Sequence, residues 1–64
     1  MNQSIDDLHA RLLEHCEDIM EHVKMLRDYG TTPGSVWLAR SELTRISQLV
    51  GEAEQLLASI QQAD

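Results

Sequence analysis

The chain has 64 residues, 42% of them hydrophobic and 25% charged, and carries a formal net charge of −6. That balance excludes a disordered polar chain, and with three glycines, one proline and only Tyr29 and Trp37 as aromatics it argues against a β-rich domain. The acidic surplus opposes undirected binding to nucleic acid or anionic lipid, because the long-range field repels phosphate.

Size adds a constraint. A compact globule of this mass buries apolar surface worth on the order of 95 kcal/mol, and ordering its residues costs on the order of 95 kcal/mol, so a chain this short gains from a partner. The longest apolar run, Val36-Trp37-Leu38-Ala39, is far short of the roughly 18 residues of a membrane span. Met1 to Asp7 has neither a basic region nor an apolar stretch, so no secretory leader is expected. The single cysteine, Cys16, cannot form an internal disulfide, which points to a reducing compartment and hence to the cytoplasm.

In chain order, Ser4 is the first structural signal. Its hydroxyl can accept from the backbone N–H of Asp7, and Asp6 and Asp7 place negative charge at the positive end of a helix dipole. Ile5, Leu8, Leu12, Ile19, Val23 and Leu26 then share one helical face, Lys24 and Arg27 suit the C-terminal end, and Gly30 is placed to close the helix in a left-handed conformation. The first helix is expected over about 4–29.

Residues 30–34, Gly30-Thr31-Thr32-Pro33-Gly34, form the only dense breaker cluster. Thr32 as cap with Pro33 at the first helical position is one start for the second helix, and Ser35 as cap is the other. From Val36 a heptad runs through Ala39, Leu43, Ile46, Val50, Ala53, Leu57 and Ile60, predicting a second helix over about 35–62 with a left-handed supercoil. Two helices of about 39 and 42 Å joined by a short turn make an all-α antiparallel helical hairpin, a single domain over 1–64. Gly51 interrupts the helical pattern, either as a tolerated exposed glycine or as a site of close helix approach with Ser47.

The hairpin has more apolar positions than one seam uses. Leu13, Cys16 and Met20 form a second stripe on the first helix, and Leu49 and Leu56 lie beside the expected seam of the second. These five residues are the expected partner or dimer interface, assembling two hairpins into a four-helix bundle or pairing the hairpin with another helical protein. Residues 22–46 hold four basic against two acidic side chains, a surplus of +2, and the rest holds one basic against nine acidic, −8. Antiparallel stacking of hairpins sets each basic turn against the partner's acidic open end.

Chemistry is sparse. His15, Asp18 and His22 lie along one edge of the first helix, but two rings about 10 Å apart cannot share an ion without further ligands. A dimer could complete such a site; the expected state is an edge histidine paired with Asp18, with no metal or cofactor. Cys16 beside His15 points elsewhere on the helix and has acidic neighbours that disfavour a thiolate, so neither nucleophilic catalysis nor any other enzyme activity is expected. Lys24, Arg27, Tyr29, Trp37 and Arg40 gather near the turn. Trp37 there either plugs the hairpin end, contacts a protein, or stacks on unpaired bases.

In architecture the acidic hairpin resembles the plasmid copy-number regulators that dimerise into a four-helix bundle and bind paired RNA loops, and the hairpin co-chaperones of type III secretion needle subunits. No functional residue is carried over from either. The function expected is that of a small non-enzymatic interaction module, a regulator, adaptor or chaperone acting through helix packing. The alternative is a small RNA-binding regulator that uses the turn end.

Overall fold

The computed structural model describes residues 4–63, so Met1–Gln3 and Asp64 of the segments read above lie outside the described residues. Two helices, α1 (Ile5–Gly30) and α2 (Val36–Ala63), pack antiparallel as a rod of 48 × 16 × 14 Å. The fold is an all-α hairpin. Ser4 caps α1, its hydroxyl accepting from the Asp7 amide at 3.1 Å, and Asp6 and Asp7 sit in the first turn.

The turn closes differently from the sequence expectation. Gly30 remains helical, and the only glycine with positive φ is Gly34 at 84°. The last carbonyls of α1 are satisfied by threonines: the Thr31 hydroxyl donates to the Arg27 carbonyl at 2.8 Å and the Thr32 hydroxyl to the Asp28 carbonyl at 2.6 Å. Thr32-Pro33-Gly34-Ser35 then forms a β-turn in which the Ser35 amide donates to the Thr32 carbonyl. Proline followed by a glycine of positive φ is the signature of type II. The Ser35 carbonyl accepts the first bonds of α2, so of the two candidate starts the chain uses the later one.

The seam has a regular heptad on both helices, but not the one the apolar residues alone suggest. On α1 the seam runs through Ile5, Leu8, Leu12, His15, Ile19, His22, Leu26 and Tyr29, steps of three and four throughout, with half-buried Met25 beside it. From the cap Ser35 into α2 it runs through Ala39, Glu42, Ile46, Leu49, Ala53, Leu56 and Ile60, with half-buried Leu38 and Gly51 beside it. Leu8, Ala39, Leu49 and Leu56 are the most enclosed, Leu49 at 2% exposure. Leu49 and Leu56, expected beside the seam, are therefore in it, while Val36, Leu43, Val50 and Leu57, expected in it, are out. Val23, read as a core residue, is also exposed.

Polar matching accounts for the choice. Ala39, Ile46, Ala53 and Ile60 belong to both readings, so only the flanking residue decides. Histidines at 15 and 22 require acceptors, and α2 offers carboxylates only when Glu42 and Glu52 turn toward α1. The Nδ1–H of His22 donates to Glu42 Oε2, and Glu52 meets His15. With Leu43 and Val50 in the seam instead, both rings would face hydrocarbon.

Candidate functional site

The two sides of the hairpin differ in chemistry. In an antiparallel helix pair, the residues that follow alternate seam positions come to one side: His9, Cys16 and Val23 on α1, and Val36, Leu43, Val50 and Leu57 on α2. Leu13 and Met20 extend that side across α1. Among the described residues, every exposed large hydrophobic side chain except Trp37 lies there, at 40–64% exposure. Together they expose on the order of 700 Å², above the roughly 300–600 Å² of a typical largest monomer patch and close to the roughly 800 Å² one partner buries in a standard interface.

The total surface agrees. At 4966 Å², the chain exposes roughly 800 Å² more than a compact protein of equal mass. Of the five residues expected to form an interface, the structure places Leu13, Cys16 and Met20 on this face and withdraws Leu49 and Leu56 into the core. Their places on the face are taken by Leu43, Val50 and Leu57. Their signal in the sequence is a seven-residue repeat, which by hydrophobicity alone fits the seam equally well.

The opposite side is a polar groove lined by Arg11, Asp18, Arg45, Glu52, Gln55 and Ser59, with His15, Leu49 and Leu56 at its floor. His15 is held there by two acceptors. Its Nδ1–H donates to the Arg11 carbonyl at 2.9 Å and its Nε2–H to Glu52 Oε2 at 3.0 Å. While Glu52 is ionised both partners are acceptors, so the two contacts are satisfied together only by the doubly protonated ring. The hydrogen bond to the Arg11 carbonyl, with a smaller contribution from Glu52, raises the imidazole above its ordinary range against an opposing desolvation.

This overturns the expected pairing with Asp18: the partners of His15 and His22 come from α2 and the α1 backbone. Among the described residues no three histidine, cysteine, aspartate or glutamate side chains converge on a metal-binding position. No buried side-chain nitrogen or oxygen among them lacks a hydrogen-bond partner.

The turn-end residues do not form one patch. Tyr29 is a half-buried seam residue; Lys24 and Trp37 occupy the outer edges of α1 and α2, nearly opposite the seam on each helix. Trp37 is 67% exposed and does not plug the hairpin end. Arg27 and Arg40 are exposed and flank the turn end of the apolar face, with Arg27 against Asp28 at 3.0 Å. Toward the open end the same outer positions hold Asp6 and Glu54.

No helix among the described residues is long and apolar enough to cross a membrane. No protein-family model matches the chain, and comparison with curated proteins and with solved structures likewise gives no match.

Proposed function

We propose that the chain is a small non-enzymatic protein–protein interaction module, a regulator, adaptor or chaperone-like hairpin, whose working surface is the face built from Leu13, Met20 and Val23 on α1 and Leu43, Val50 and Leu57 on α2. The observation that carries this reading is the segregation of nearly all exposed large apolar side chains onto one side of a two-helix rod. Helices packed across that side bury it, and two hairpins doing so form a four-helix bundle. The unpaired thiol of Cys16 fits a cytoplasmic setting.

The test compares Leu43→Glu with Ser59→Glu, which sits on the polar groove. Leu43→Glu is expected to abolish association in sedimentation or in capture of helical partners while leaving helix content intact, and Ser59→Glu to preserve association. Equal behaviour of the two variants contradicts the proposal. Tight binding of a looped RNA that weakens steeply with salt and is lost in Arg27→Ala with Arg40→Ala would favour the nucleic-acid reading instead. The scattering of Lys24, Tyr29 and Trp37 speaks against it.

A further inference from the structure

Resting on the reading of the apolar face as a docking surface, we infer that its occupant is a second copy of the chain, laid antiparallel so that α1 packs on α1 and α2 on α2 of the partner, with the two-fold axis passing beside Cys16 and Val50.

Contacts across the seam (His15 to Glu52, His22 to Glu42, Gly30 to Ala39) put position 16 of α1 about level with position 50 of α2. Along the outer edge of the face on α1 stand Asp6, Leu13, Met20 and Arg27, seven residues apart. Reversed about a point between 16 and 17, this row places Asp6 on Arg27 and Leu13 on Met20: acid meets base and hydrocarbon meets hydrocarbon. The inner row His9, Cys16 and Val23 reverses about Cys16 itself. On α2, Leu43, Val50 and Leu57 reverse about Val50. The outer row of α1 and the apolar row of α2 are thus self-complementary about the same level, as an isologous interface requires, while the inner row of α1 sets His9 on Val23.

The alternative stacking, with both turns at one end, lays α1 on the partner's α2. Level matching then sets Arg27 on Arg40, Leu13 on Glu54 and Met20 on Ser47. Like charges oppose at the turn and a carboxylate is pressed onto leucine. Arg27 is available for the antiparallel pairing, because its contact with Asp28 joins two exposed neighbours and the guanidinium has donors for a second carboxylate.

The arrangement is tested by cross-linking the unmodified chain through Cys16. Helices 8–10 Å apart bring facing Cα atoms near the axis within about 4–7 Å, within disulfide reach, whereas same-end stacking sets Cys16 opposite Val50 of the partner and the two thiols diagonally apart. Diamide takes up two electrons and two protons as the two Sγ–H groups become one S–S bond, and is itself reduced to the hydrazine. Near-complete disulfide dimer is expected at concentrations where the chain is assembled, with the yield falling at least tenfold in Leu43→Glu.

A second arm uses charge. Arg27→Asp and Asp6→Arg should each weaken assembly about tenfold, since two-fold symmetry counts each exposed pair twice. The double variant should recover to within about threefold of the original. Both changes oppose the helix dipole, so recovery reports the pair. An assembled chain that neither cross-links nor shows recovery overturns the antiparallel register while leaving the docking face standing. A chain that remains monomeric overturns both.

Discussion

Replacing Leu49 by alanine tests the seam directly. Leu49 is 2% exposed and packs in the layer next to the His15–Glu52 contact, so truncation forfeits its burial and leaves a cavity that two long helices can close only in part. Leu→Ala changes at such sites cost about 3 kcal/mol. Against a total of about 3–10 kcal/mol for a chain this size, that is a large share, and it lowers the melting temperature by about 15 °C. Leu43, 52% exposed, already keeps half its surface in water, and Leu43→Ala costs the isolated hairpin under about 1 kcal/mol. The assay is urea and thermal unfolding followed by helical circular dichroism across a dilution series. The Leu49→Ala deficit should persist at every concentration, while that of Leu43→Ala should shrink as the chain is diluted. A Leu43→Ala deficit that exceeds that of Leu49→Ala at the lowest concentration refutes the register described here.

Glycine substitutions probe the backbone. A Cβ at Gly51 meets nothing within 4 Å, so Gly51→Ala should stabilise the hairpin by about 1 kcal/mol in the same unfolding assay. Gly34→Ala should destabilise it by about 1 kcal/mol despite equally open space, because φ there is 84°. His15, with its folded pKa raised, contributes stability that is fully present below its ordinary value of about 6.5 and is lost as pH rises through the folded value. Unfolding between pH 6 and 8 should therefore show falling stability that His15→Gln flattens; an unchanged slope in that variant removes His15 as the cause.

The hairpin itself was legible from its sequence. Ser4, the acidic first turn and the Thr-Thr-Pro-Gly-Ser cluster are local signals, and local hydrogen bonding decides them. The seam was less legible for a physical reason. Ala39, Ile46, Ala53 and Ile60 lie between two flanking rows, Val36/Leu43/Val50/Leu57 and Glu42/Leu49/Leu56, and hydrophobicity alone favours the first. What selects the second is a cross-helix requirement, the acceptors needed by His15 and His22, which becomes visible only when both helices are considered together. The same displacement explains the site: Leu13, Cys16 and Met20 could be read from α1 alone, but their companions on α2 could be named only once the seam had claimed Leu49 and Leu56.

The central claim is that these two helices carry more apolar surface than they can bury against each other. Sedimentation equilibrium of the unmodified chain from about 1 µM to about 1 mM, with helix content recorded on the same samples, tests it most directly. The account predicts a mass that rises from 7.3 kDa to twice that value. A fully helical chain that stays at 7.3 kDa across the whole range contradicts it.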